Sequence, residues 1–416
     1  MKKLPFHYGI IIIATGTLCI AAALGFGRFG LGMLLPSMGK ALNWNKFEMG
    51  CISAGNFTGY LLAVLFCGVI VKKIGSRNLI FIALLTSGIS MLALSVSNEF
   101  IYAIVLYSIT GAGSGAANVP IMALTASWFT DRIRGKAAGY IVIGSGFAIV
   151  FSGFIIPFVN KNFIENGWRI NWQILGVIVI LIGIVSRIII RDKPEMLGLK
   201  PMDSNKYKSL PQKTSVENKK NFCQNKIINI YKSVTIYHLA LLYFIFGLTY
   251  SIYATFIVTV MVEEHNFTEY IAGQFWAITG FLSLFSGPVF GILSDRAGRR
   301  TAFIFVFFIQ TLSYISAAAA TNNLLLYLSV FCFGITAWSI PCIMSAAVSD
   351  YIGTEKMAAA FGFITFIFGI GQITGPALAG FYADKTGTMS GIFYFSSLLT
   401  AIAGIFAWKL KSKLCS

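Results

Sequence analysis

Few residues in this 416-residue chain have the type and setting to do chemistry. Arg28 is the only Lys, Arg, Asp or Glu between Lys3 and Lys40, and Gly25, Gly27, Gly30 and Gly32 surround it in an otherwise apolar run. A central arginine costs about 2.5–3.5 kcal/mol in a bilayer, so it ordinarily faces a cavity and has a task there. Its planar guanidinium suits two-point contact with a carboxylate. Two other fates stand beside ligand contact. The side chain can snorkel outward, because Pro36 follows only about 12 Å further along a helix, or it can partner backbone carbonyls.

Spacing yields a second group. Tyr107, Gly111, Ser114, Asn118 and Met122 fall on one helical face, and Asn118 offers an amide to a solute or to a neighbouring helix. Tyr250 and Tyr253, three residues apart, share a side of their helix. With Trp276 and Trp338 they make a candidate aromatic enclosure, though packing competes as the explanation of each ring. Gln372, on a face with Thr365 and Pro376, completes the candidate binding set. No nucleophile–base pair, metal cluster or nucleotide loop is visible. The seven cysteines have no C-x-x-C spacing, and His7, His238 and His265 lie near the ends of apolar runs. The expectation is therefore no enzyme, no metal and no cofactor.

The elements that position these residues follow from composition. The chain is 56% hydrophobic and 11% charged, with a mean hydropathy of +0.77, whereas a soluble domain is about a quarter charged. Its apolar residues suffice for about a dozen spans of ~20 residues. Apolar runs place those spans near 8–35, 47–70, 78–97, 100–129, 136–158, 170–190, 235–262, 269–293, 300–320, 323–348, 356–382 and 389–409. Lys2 and Lys3 before the first run imitate a signal peptide, but a run reaching Leu35 is too long for a cleaved one and is read as a retained span. The one long polar stretch, Arg191–Val234, carries Pro194, Pro201, Pro211 and Cys223 and reads as a linker. The expected organisation is an N-terminal half at 1–190, a cytoplasmic linker at 191–234 and a C-terminal half at 235–416.

Charge gives orientation. The net charge of +17 needs no nucleic-acid partner, because membrane proteins concentrate basic residues in cytoplasmic loops. With the N-terminus inside, 26 Lys/Arg fall on the cytoplasmic side and five outside (Lys40, Lys46, Lys161, Arg169 and Lys385). Acidic residues split eight to seven, so the bias belongs to positive charge. Both termini are expected in the cytoplasm, in the cell membrane. The halves also echo each other. Gly50, Gly68 and Gly75 return at Gly273, Gly291 and Gly298, an offset of 223, and Pro120, Ala137 and Ala138 return at Pro341, Ala358 and Ala359, an offset of 221. Such parallel repeats are a transporter pattern, with the substrate expected near the midplane.

One turn carries a resemblance. Gly291-Ile-Leu-Ser-Asp295-Arg296-Ala-Gly298-Arg299-Arg300 resembles the G-x-x-x-D-R-x-G-R-R signature of the major facilitator superfamily, at the position of its second copy. The resemblance covers essentially the whole chain and implies an all-α membrane protein of twelve transmembrane helices in two six-helix repeats. It makes Asp295, Arg296, Gly298, Arg299 and Arg300 a conformational latch, the carboxylate lying on the same face as the start of helix 11, worth about 0.3–1 kcal/mol. The first copy departs from the pattern, with Lys72 where the family has its Asp. Gly25-Phe26-Gly27-Arg28-Phe29, Tyr253-Ala-Thr-Phe-Ile-Val-Thr and Phe275-Trp276 are similar to bacterial permeases of the monocarboxylate and oxalate–formate branch. That branch often carries an arginine in helix 8, absent here before Arg296, and Tyr107 stands where helix 4 commonly has an arginine.

The resulting expectation is a transporter of a small, monocarboxylate-like organic anion, working as a monomer in the lipid bilayer by alternating access, as a symporter or antiporter with a proton or counter-substrate, or as a facilitative carrier. The alternatives are an exporter of amphiphilic compounds and a non-transporting solute sensor. No carboxylate is expected near the midplane, so a proton would ride on the substrate or on a rim carboxyl such as Glu263 or Glu264.

Overall fold

A computed structural model describes residues 7–203, 233–353 and 356–410. Cys223 and most of the linker, Glu355 and Cys415 lie outside these described residues. Among the described residues, twelve helices are long and apolar enough to cross a membrane. They are α1 Gly9–Leu42, α2 Lys46–Ile74, α3 Ser76–Val96, α4 Phe100–Trp128, α5 Asp131–Asn162, α6 Gly167–Ile189, α7 Val234–Glu263, α8 Glu269–Ala297, α9 Arg299–Ala318, α10 Asn323–Ile352, α11 Met357–Thr386 and α12 Ser390–Trp408. No strand occurs among the described residues, and one isolated bridge joins Phe129 to Met202. The expected all-α, twelve-span architecture holds.

Three local departures matter. The expected end of α1 at Leu35 is corrected to Leu42, the helix continuing through Pro36. Proline removes one bond, to the carbonyl four residues back, and that residue is Gly32. Within α1, Ala21–Phe29 is a π-helical stretch rather than an α-helix. α10 consists of Asn323–Thr336 and Ser339–Ile352, interrupted at Ala337 and Trp338.

The chain forms two compact units, Met1–Lys208 with Ala254–Leu284, and Ser209–Tyr253 with Phe285–Ser416. α7 and α8 each contribute a segment to both. In the first unit α2 and α4 touch backbone to backbone: a Cβ on Gly59 would meet the backbone of Ser108, and one on Gly111 that of Asn56. Lipid gives helices no hydrophobic reason to associate, so small residues that permit close dispersion contact hold them together. In the second unit Gly371 and Gly375 of α11 bring a prospective Cβ within 2.5 Å of the Phe244 and Leu248 carbonyls of α7. Interior hydroxyls bond within their own helix, as Thr249 Oγ1 does to the Ile245 carbonyl at 2.9 Å. Such bonds satisfy polar groups that lipid cannot.

Candidate substrate site

The site grows from the π-helical stretch of α1. Its four-glycine neighbourhood weakens the helix, each glycine by about 1 kcal/mol relative to Ala, and widening it exposes carbonyl oxygens that neighbours must satisfy. Three side chains do so. Ser114 Oγ donates to the Ala23 carbonyl at 2.5 Å, Asn56 Nδ2 to the Gly27 carbonyl at 3.1 Å, and Tyr107 OH to the Arg28 carbonyl at 2.9 Å. Gly27 has no room for a side chain, because a Cβ would lie 2.9 Å from Ser114 Oγ. The helix-4 face singled out by spacing therefore supports the backbone around Arg28.

The Arg28 side chain is held by α2. Its guanidinium carbon lies 4.8 Å from the Phe57 ring centroid and 4.2 Å from that of Tyr60. Asn118 Nδ2 donates to Tyr60 OH at 2.8 Å and so fixes the ring that lies on Arg28. Nε and Nη2 of Arg28 are buried with no hydrogen-bond partner in the protein, and no carboxylate among the described residues pairs with the cation. These two nitrogens form one edge of the guanidinium, the fork that takes both oxygens of a carboxylate. A cavity of about 10 Å³ is lined by Arg28, Ser53, Asn56, Tyr107 and Thr255. It holds one water-sized atom. Ser53 and Thr255 close its wall, their hydroxyls 2.8 Å apart.

The remaining candidates sit elsewhere. Trp276 is in the same unit, near Gly32, where a Cβ would lie 3.4 Å from its ring. Tyr250, Tyr253, Trp338 and Gln372 belong to the second unit. Tyr250 stacks on Phe246 and Phe333, and its centroid is 6.0 Å from that of Trp338. Tyr253 lies on Phe333 at 4.0 Å, its hydroxyl 2.8 Å from Ser329 Oγ. Gln372 is buried. Sequence reasoning missed Asn56, Phe57 and Tyr60. The available signal was their sharing, with Ser53, of one face of α2 at i, i+3, i+4 and i+7. A larger cavity, about 940 Å³, is lined at the ends of α1, α5 and α8 by Lys40, Lys161, Glu165 and Glu269. Its formal charges cancel, and it contains none of the candidate residues.

At the other motif, Arg299 joins two carboxylates. Its Nη1 reaches Asp295 Oδ1 at 2.5 Å and Ser294 Oγ at 2.9 Å, while Nε reaches Asp350 Oδ2 at 2.7 Å. Gly298 turns the chain between α8 and α9 at φ +86°, a conformation L side chains rarely adopt. Arg296 is exposed, and the Arg300 guanidinium lies 5.8 Å from the Trp408 ring centroid.

Twelve helices long and apolar enough to cross a membrane, among the described residues, define a multi-pass membrane protein. The Major Facilitator Superfamily model matches residues 17–368 and 239–413, and the chain belongs to that family. A hexuronate transporter of Bacillus subtilis (strain 168) is 22% identical over 402 residues, covering 91% of this chain and 89% of the relative. Monocarboxylate transporter 2 of Mus musculus is 22% identical over 416 residues, 96% of this chain and 83% of the relative. Among solved structures, a bacterial homolog of the human lysosomal transporter Spinster, inward-facing and unoccupied, matches with a TM-score of 0.76 at 14% identity, covering 96% and 95% of the two chains.

Proposed function

We propose that this transporter moves a small organic anion across the cell membrane by alternating access, and that Arg28 binds the substrate's carboxylate. The observation that carries the reading is the buried, unpartnered Nε–Nη2 edge of Arg28, its guanidinium lying over the Phe57 and Tyr60 rings. Buried donors without an acceptor are costly, and an anionic substrate removes that cost only when bound. Relatives that transport hexuronate and monocarboxylates agree with an anion. Both termini face the cytoplasm, on the strength of the 26-to-five split of basic residues. The division into halves at 1–190 and 235–416 joined by a linker at 191–234 draws support from the repeated glycines.

Uptake of radiolabelled small anions and lipophilic cations into proteoliposomes tests the reading. Saturable uptake of anions is expected, abolished in Arg28→Ala and retained with weakened affinity in Arg28→Lys, which keeps the charge and loses the fork. Normal kinetics in a well-expressed Arg28→Ala would overturn it. Uptake confined to lipophilic cations would favour export of amphiphiles.

A further inference from the structure

Three arginines gather at one end of α3 and α6, the end read as cytoplasmic from the charge bias. Arg77, in the first turn of α3, donates through Nε to the Arg187 carbonyl in the last turn of α6 at 2.7 Å. Arg191, just past α6, folds back so that Nη1 donates to the Ile188 and Ile190 carbonyls at 2.7 and 2.9 Å. Arg187 and Arg191 both oppose the charge of Arg77, and the carboxylate that offsets it is Asp192. Asp192 Oδ1 is spent on the Arg77 backbone N–H at 2.7 Å, and none of the three arginines forms an ion pair among the described residues. All three are half-buried. The positive-inside bias accounts for basic residues spread through solvated loops. It gives no reason to draw three mutually repelling cations together against the helices.

Three positive charges against one negative leave a surplus that an anion would remove. Where that anion comes from is marked by the surface beside the cluster. Leu181, Ile184, Val185 and Ile188 are exposed at i, i+3, i+4 and i+7, an apolar stripe of α6 that runs up to Arg191. A guanidinium meets phosphate oxygens with its fork and gives up water more readily than an ammonium. From the charge surplus and its continuity with this lipid-facing stripe, we infer that the α3–α6 corner binds an anionic phospholipid, its phosphate at Arg77, Arg187 and Arg191 and its acyl chains along α6. A zwitterionic phospholipid offers the same phosphate but adds an ammonium group, which the cluster repels.

Native mass spectrometry of the full chain in detergent, titrated with phosphatidylglycerol or phosphatidylcholine, tests this. One basic residue at an anionic surface is worth about 5-fold in affinity, so the first phosphatidylglycerol should bind at least about 10-fold tighter than phosphatidylcholine. Arg187→Gln should weaken it about 5-fold. Its side chain makes no hydrogen bond among the described residues, so the substitution costs the fold no contact. Arg191→Gln, expected to act alike, replaces it if Arg187→Gln is not monodisperse. Arg296→Gln/Lys409→Gln removes two exposed charges from the second unit and should leave binding within about 2-fold, whereas general surface attraction would cost about 25-fold. Such a loss would overturn the site, as would equal affinity for the two lipids or unchanged affinity in the arginine variant. Displacement of phosphatidylglycerol by glycerol 3-phosphate, the headgroup phosphate without chains, would overturn the lipid as its ligand in favour of a soluble phosphate.

Discussion

Arg28 is a case in which one residue's chemistry is set by neighbours on another helix. The Tyr60 ring lies on its guanidinium and the Tyr60 hydroxyl accepts from Asn118. Ring and hydroxyl can therefore be separated by mutation. A half-buried cation–π contact is worth about 1–2 kcal/mol, so Tyr60→Leu should raise the KM for the transported anion about 5- to 30-fold with kcat nearly unchanged. Tyr60→Phe keeps the ring and should change KM less than about 3-fold, because the Asn118 bond only orients it. Equal effects of the two substitutions, read by initial-rate uptake, would refute the cation–π account. Arg28 and Asn118 were legible in the sequence because a charge and an amide stand out in apolar runs. Tyr60, Phe57 and Asn56 were not, because an aromatic in a membrane helix reads as packing or lipid contact until its distance to Arg28 is known.

At the scale of elements, periodicity and charge located all twelve spans, since each must be long and apolar to exist in lipid. What stayed hidden were the breaks. Gly25 and Gly27 showed that α1 is weak, but not that the weakness becomes a π-helical stretch whose carbonyls are taken by Ser114, Asn56 and Tyr107. The first copy of the motif is a further case. With Lys72 in place of Asp, a carboxylate arrives from beyond α6: Asp192 Oδ1 accepts from the Arg77 backbone N–H at 2.7 Å, at the start of α3. Nearby, Arg77 Nε donates to the Arg187 carbonyl at 2.7 Å and Trp128 Nε1 to that of Arg191 at 2.8 Å. A carboxylate at a helix N-terminus contributes about 0.3–1 kcal/mol, up to ~2 when partly buried. Asp192→Asn should lower the melting temperature in detergent by about 1 °C per kcal/mol lost, read by intrinsic fluorescence. Gly75→Ala should lower it further, because Gly75 has φ +81° and a Cβ there would lie 2.7 Å from Asp192 Oδ2. An unchanged melting temperature in Asp192→Asn would assign the contact no stabilising part.

Across the whole molecule, the described Asp and Glu residues lie in loops or near helix ends, and none is near the middle of a span. A proton carried by the protein would need a titrating group along the substrate's route, and such groups are ordinarily placed inside the bundle. The rim carboxylates have local tasks instead. Glu48 closes the capping box of α2 with Asn45, Glu269 accepts from Asn160 Nδ2 at 2.6 Å, and Glu263 pairs with Lys46. The Lys46 and Glu263 side chains are 23% and 36% exposed, so the pair is solvent-screened and worth at most about 1 kcal/mol. Glu263→Gln should consequently leave substrate counterflow within about 5-fold of the wild type, the factor that such a loss allows. Glu264→Gln should do the same, for it is the neighbouring rim residue. Counterflow is the informative assay because exchange needs only the loaded carrier to reorient, whereas accumulation driven by a pH gradient also needs a proton to be carried. A change in accumulation with counterflow intact would assign a coupling role to the rim. Loss of counterflow in a monodisperse Glu263→Gln would instead mean that the ion pair stabilises a state every transport cycle must visit, and that the route of the substrate passes the ends of α2 and α7.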